Sequence, residues 1–283
     1  MNLDEGDKEK LGSVLSEARR RYSRASLERL EEAFAIAVGA TEYTGTEDPG
    51  QEGIAFFFPG LVAKPWHDKE NFPMCAKLEP AWETIREELY NALGERRGFQ
   101  QFLRRGTDKQ SGPDLGVPRE WKALYLKEHT EEFPENRVIC PETVKIIENE
   151  PRLENYVFFS ALDPGGVIAP HHATYNWVFN IHLGLVVPDT NPDNCGLRVK
   201  DQTRGWSEGK SHVFDSSFEH EAWNKTDSTR FILVITTYHP DLTDIEVSLL
   251  KKVNVDLARA DDAVHDTQLR DSVNELEGQK WWL

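Results

Sequence analysis

The residues best suited to chemistry lie in Pro170-His171-His172-Ala173-Thr174-Tyr175-Asn176 and in Phe218-Glu219-His220-Glu221-Ala222-Trp223. His220 follows His171 by 49 positions, and Arg230 follows His220 by ten. Imidazole is a good ligand for iron(II). An arginine near such a centre could grip an acidic co-substrate. A facial-triad iron site also places a carboxylate two residues after its first histidine, and Ala173 stands there instead.

That alanine does not prevent metal binding. Iron(II) accepts six ligands. Two histidines fill two positions, a chelating 2-oxo acid fills two more through its carboxylate and ketone, and O2 fills a fifth. Water or a halide can take the position that Ala173 leaves open. His171 and His172 are adjacent, so in extended chain they point to opposite faces and only one can serve. The residues alone leave that choice open.

Other histidines (His67, His129, His212, His239 and His265) lack a comparable context and read as core or surface residues. Arg230 opens the apolar run Phe231-Ile232-Leu233-Val234-Ile235. Alone it would read as a solvent-facing strand start. Beside a metal, its planar fork suits the distal carboxylate of 2-oxoglutarate. Ser160 closes another strand-like run and could offer a hydroxyl to the same group.

These residues need elements to hold them. The segments 155–160, 178–187, 197–199, 212–214 and 230–238 are short β-branched or aromatic runs separated by Pro, Gly, Asn and Asp. Such punctuation predicts an all-β barrel or jelly roll. His171 is expected at the mouth of the 178–187 strand and His220 ahead of the 230–237 strand, both at loop–strand junctions. Apolar spacing predicts helices over residues 8–38, 79–93 (with Pro80 in the first turn) and 141–149, and again after Pro240. Phe56-Phe57-Phe58 and Trp121–Leu126 read as strands, and residues 94–118 as a polar connection rich in Gly and Arg. The simplest architecture is mainly β with flanking helices. It divides into an N-terminal helical extension (1–53), a core (54–242) and a C-terminal helical segment (243–283) packed on that core.

Composition narrows the partners. A net charge of −16 over 283 residues argues against nucleic acid, which requires a basic face. No apolar run is long enough to span a bilayer. Cys75, Cys140 and Cys195 are odd in number and widely spaced, which predicts reduced thiols. The acidic N-terminus does not resemble a secretory signal. A cytoplasmic protein acting on a small-molecule or amino-acid-like substrate is expected.

Several further blocks occur in order: Phe58-Pro59-Gly60-Leu61-x-x-Lys64-Pro65-Trp66, Phe159-Ser160-Ala161-Leu162-Asp163-Pro164-Gly165, His182-Leu183-Gly184, Trp206-x-Glu208-Gly209-Lys210 and Phe214-Asp215-x-Ser217-Phe218-Glu219-His220. With Pro170-His171-x-Ala173-x-x-Asn176, Arg230 and His239-Pro240, they resemble the aspartyl/asparaginyl β-hydroxylase family of iron(II)/2-oxoglutarate oxygenases over roughly residues 54–242. The resemblance implies a double-stranded β-helix. It also implies His171 and His220 as the protein ligands of Fe(II), with Ser160 and Arg230 contacting 2-oxoglutarate and His182 beside it. Well-known members carry glycine where this chain has Ala173 and still hydroxylate, so the open iron position fits the family. One departure stands out. Peptide-aspartyl hydroxylases carry arginines where this chain has Val178 and Asn180, so a less anionic substrate is expected beside Asn176, Val178 and Asn180.

The expected activity is hydroxylation of a C–H bond of a small molecule, amino acid or peptide-like metabolite, with 2-oxoglutarate and O2 giving succinate and CO2. A halogenase, desaturase or cyclase could use the same open position, and a non-enzymatic binding module is a more distant alternative. The C-terminal Trp281-Trp282-Leu283 has three open roles: capping the site, packing in a homodimer or sealing the core.

Overall fold

A computed structural model describes Leu3 and residues 5–42, 49–51, 56–94, 121–129, 131–173 and 175–253. The polar connection expected at 94–118, apart from Gly94, most of the C-terminal segment and the terminal tryptophans lie outside the described residues, as does Thr174.

Among the described residues, eleven strands form two antiparallel sheets. The larger takes β1 (Trp66–His67), β2 (Trp121–Glu128), β3 (Glu131–Glu132), β4 (Leu153–Leu162), β6 (Val178–Val186), β9 (Ser211–Asp215) and β11 (Arg230–Tyr238), in the order β1-β9-β6-β11-β4-β2-β3. The smaller takes β5 (Val167–His171), β7 (Cys195–Val199), β8 (Gln202–Gly205) and β10 (His220–Asn224), in the order β5-β10-β7-β8. From β4 to β11 the chain changes sheet at every connection except the β7–β8 hairpin. That winding makes a double-stranded β-helix, the jelly-roll solution to the edge-strand problem.

Period-two alternation decides what each face of the larger sheet carries. On β11, Leu233 and Ile235 join Phe159, Ile181 and Leu183 in a cluster under α3 (Pro73–Leu78), α4 (Trp82–Gly94) and α6 (Pro141–Ile147). Ile232 and Val234, one residue out of phase, pack instead with Ile168, Leu197 and Val199 of the smaller sheet. Arg230 shares their parity and is therefore directed between the sheets.

Helix starts follow sequence chemistry. Pro73, Pro134 and Pro141 occupy the first turns of α3, α5 (Pro134–Ile139) and α6, where a missing N–H costs nothing. Glu88 of α4 accepts from the Glu142 and Thr143 backbone N–H groups, capping α6 from a neighbouring helix. The expected helix over 79–93 starts as a 3-10 turn, Glu79–Ala81, and continues as α4.

Two expectations need correction. The single helix over 8–38 is α1 (Glu5–Arg21) and α2 (Glu28–Ala37), separated by a 3-10 turn whose start Ser23 caps by accepting from Ser26 N–H at 3.3 Å. Phe56–Phe58 forms no strand; Phe56 makes one parallel bridge, to Tyr175. Its ring instead packs edge-on to Trp177 in a cluster with Leu30, Phe34 and Leu250. That cluster joins α1, α2 and a last helix, α7 (residues 244–253), to the ends of β6 and β11.

The three cysteines are free and buried. Burial pushes the Cys75 thiol up to about 11 and the Cys140 thiol to about 12. No helix among the described residues is long and apolar enough to cross a membrane.

Candidate active site

His171 and His220 sit at loop–strand junctions as expected, but on strands of their own, β5 and β10, rather than beside β6 and β11. His171 ends β5, His220 begins β10, and the two are direct partners in the antiparallel register. Their ring centroids are 4.1 Å apart. Pro170, which would interrupt a central strand, is tolerated because β5 is an edge of its sheet.

Backbone carbonyls set the orientation of both rings. His171 Nδ1–H donates to Ala169 O at 2.7 Å, and His220 Nδ1–H donates to Phe218 O at 2.9 Å. In each neutral ring the lone pair is then on Nε2. Burial, above all other causes, lowers the His220 pKa to about 4, so this ring is neutral at physiological pH. His172 does not line the cavity; its Nδ1–H donates to Ala173 O at 3.0 Å. Ala173 does line it, held in place by donation from its N–H to Ser216 O at 2.8 Å.

Arg230 is 1% exposed, and among the described residues no carboxylate pairs with it. Its Nη2 donates to Ser160 Oγ at 3.3 Å, and its guanidinium carbon lies 4.7 Å from the centre of the Trp206 ring. Its Nε is buried without a hydrogen-bond partner. Burial pulls its pKa down to about 10, which still leaves it a cation at neutral pH. Trp121 Nε1–H also donates to Ser160 Oγ, at 3.0 Å. His182 lines the same cavity, with its Nδ1 unpartnered. Burial first, then the nearby Arg230 charge, drives its pKa well below that of a free imidazole.

These groups surround one cavity of about 160 Å³. Alternation explains the assembly: Tyr156, Phe158 and Ser160 of β4, Val178, Asn180 and His182 of β6, and Arg230, Ile232, Val234 and Thr236 of β11 all line it. Val178 and Asn180 thus lie on the cavity wall. Asn176 does not. Its amide clamps the Phe58 backbone, accepting from the N–H at 2.8 Å and donating to the C=O at 3.1 Å. It holds the loop at Phe58 in place.

Sequence reading overlooked the aromatic wall of Trp121, Tyr125, Tyr156 and Phe158. The alternation of residues 121–126 was visible, but its inward face could be assigned only once β2 was known to pair with β4. Trp206 was visible only as part of a motif, and its contact with Arg230 depends on the fold.

The donor set suits a metal that needs only two protein ligands. Two imidazoles are fixed side by side with Nδ1 of each held by a backbone carbonyl, and the guanidinium in the same cavity suits a carboxylate of a chelating acid. Among the described residues no group of three or more His, Cys, Asp or Glu side chains could hold an ion together.

Comparison with known proteins identifies the family. Residues 79–240 match the model of the aspartyl/asparaginyl beta-hydroxylase family. The chain is 34% identical over 189 residues to an ornithine lipid ester-linked acyl 2-hydroxylase of Rhizobium tropici, covering 67% of this chain and 66% of that one. It is 29% identical over 191 residues to human aspartyl/asparaginyl beta-hydroxylase, covering 65% of this chain but 24% of the relative. Human aspartate beta-hydroxylase domain-containing protein 2 is 28% identical over 255 residues, covering 86% and 65%. The chain thus spans just under two thirds of two of these relatives and about a quarter of the third.

Proposed function

The chain belongs to the aspartyl/asparaginyl beta-hydroxylase family, and from that premise we propose that it is an Fe(II)/2-oxoglutarate-dependent hydroxylase. The observation that carries this reading is a buried, uncompensated arginine in the same cavity as two paired imidazoles. A desolvated guanidinium is costly unless an anion completes it. A 2-oxo dicarboxylic acid bound to a metal at the histidines would supply that anion.

His171 and His220 would hold the metal through Nε2, while their Nδ1–H donations to the backbone fix the rings and raise their basicity. Arg230 and Ser160 would hold the distal carboxylate. Trp121 orients the serine hydroxyl, and Trp206 supports the guanidinium from one face. Bound iron and 2-oxoglutarate supply the oxidising chemistry, coupling loss of CO2 from the oxo acid to insertion of one oxygen atom of O2 into a C–H bond. The aromatic wall excludes water from that chemistry and shapes the space for the substrate.

The substrate is a small molecule, amino acid or peptide-like metabolite, with Val178 and Asn180 on its side of the cavity. The rhizobial relative's name, together with the apolar wall, also makes an acyl chain a candidate. Ala173 on the cavity wall favours a second reading, in which a halide sits at the metal and is transferred to substrate.

A screen of amino acids, biosynthetic intermediates and acyl amino acids for substrate-stimulated succinate release tests the proposal. A product heavier by one oxygen atom, formed with one succinate, is expected. A chlorinated product in the presence of chloride would select the second reading. No turnover of 2-oxoglutarate with any metal-loaded preparation would argue for a binding module.

A further inference from the structure

Gln51 belongs to a short 3-10 turn, Pro49–Gln51, well outside the residues matched by the family model. Yet it is 1% exposed, and its amide bonds to the turn that follows β9. Nε2 donates to Ser217 Oγ at 2.7 Å and to Asp215 Oδ2 at 3.2 Å. Asp215, also 1% exposed, accepts at Oδ1 from Ser217 N–H at 2.9 Å and Ser217 Oγ–H at 2.5 Å. Gln51 and Ser217 thus fold the turn after β9 around a buried carboxylate. Neighbouring Gly50 lies flat against the Phe218 ring, where a Cβ would approach within 3.0 Å.

That turn supplies two contacts to the site. Phe218 O takes the His220 Nδ1–H, and Ser216 O takes the Ala173 N–H. One turn therefore aims the second histidine and places the backbone of the residue beside the open metal position. We propose that Gln51 is a positioning residue for the metal half of the site, acting through Asp215 and Ser217. This rests on the reading that His171 and His220 hold a metal. It makes the N-terminal segment part of the active site rather than an appendage to it. Loss of the amide would take one hydrogen bond from the buried Asp215 carboxylate and one from Ser217 Oγ, which costs stability at this turn. The carbonyls of Ser216 and Phe218 would move with it.

The test is anaerobic titration of the 283-residue apo-protein with Co(II), followed by its ligand-field absorption, well below the melting temperature. Gln51→Met keeps the volume but removes the donor. It should weaken Co(II) binding about 10-fold, the low end of the loss when a direct outer partner of a metal-binding histidine is removed, because the Phe218 carbonyl shifts rather than disappears, and change the absorption envelope. Glu88→Ala, which uncaps α6 in the outer helical layer, serves as a destabilised control and should bind like the parent. Ser217→Ala carries the same test should Gln51→Met not fold. Parent-like binding by Gln51→Met, or equal weakening in Glu88→Ala, would overturn the proposal. If the parent itself binds no Co(II), the metal reading fails and the role of Gln51 fails with it.

Discussion

His171 and His220 face each other directly across two neighbouring antiparallel strands, with ring centroids 4.1 Å apart. Strand pairing brings residues 49 positions apart into side-by-side contact and gives both rings the same backbone anchor, a carbonyl two residues upstream. The next alternation out, Ala173, sits on the cavity wall without a donor atom.

Replacing either histidine should abolish the site. His171→Ala and His220→Ala should each lower 2-oxoglutarate turnover about 100-fold or more, since a single imidazole remains and outer-partner losses alone reach that range. His172→Ala, outside the cavity, should stay within about threefold of the parent by the same comparison. Succinate release at saturating iron reads all three. Loss of activity in His172→Ala alone would reassign the ligand.

Arg230→Lys should raise the half-saturating 2-oxoglutarate concentration about 10–100-fold, because a charged hydrogen bond is worth about 1.5–3 kcal/mol and a point charge cannot keep both arms of the fork. Trp206→Ala, which removes the ring 4.7 Å from the guanidinium, should act in the same direction but more weakly. Isothermal titration of the metal-loaded protein with 2-oxoglutarate measures both. Unchanged affinity in Arg230→Lys would remove this residue from the co-substrate site.

Asn176→Ala should cost stability rather than recognition. It orphans the Phe58 N–H and C=O, at about 1–3 kcal/mol for each buried group. Urea denaturation should show the loss, with the substrate KM unchanged below the transition. A raised KM at undiminished stability would return Asn176 to the substrate pocket.

Acid should destabilise the fold in a defined window. Burial lowers His67 and His212 to about 4, against about 6.5 in an unfolded chain. Between those values the unfolded state binds more protons, so stability is full above about pH 6.5 and falls as pH drops towards 4. The two histidines together should remove about 1–3 kcal/mol between pH 6.5 and 4.5, after discounting for their partial exposure. That corresponds to several degrees in Tm. A Tm that is flat across this range would contradict the buried neutral histidines.

How legible the site was depended on the kind of signal. The paired histidine segments and Arg230 stood out by residue type and spacing, and the larger sheet by its β-branched runs, but the choice of His171 over His172 needed the family resemblance. The strands carrying the histidines did not stand out. Val167-Ile168-Ala169-Pro170-His171 contains a proline, and His220-Glu221-Ala222-Trp223-Asn224 has no β-branched residue; pairing, not propensity, makes them strands. Gln51 gave no signal at all, because a lone glutamine in a Gly- and Glu-rich stretch acquires meaning only when the turn at Asp215 closes on it. Asn176 was visible only as part of a motif, and its clamp on the Phe58 backbone depends on the fold.

The most direct test of the account is anaerobic addition of Fe(II) and 2-oxoglutarate to the apo-protein, monitored by visible absorption. A metal-to-ligand charge-transfer band should appear only when both are present, persist in His172→Ala, and be absent from His171→Ala and His220→Ala. No band in the parent, or a band that survives in either of those two variants, would contradict a metal and 2-oxo acid held at His171 and His220.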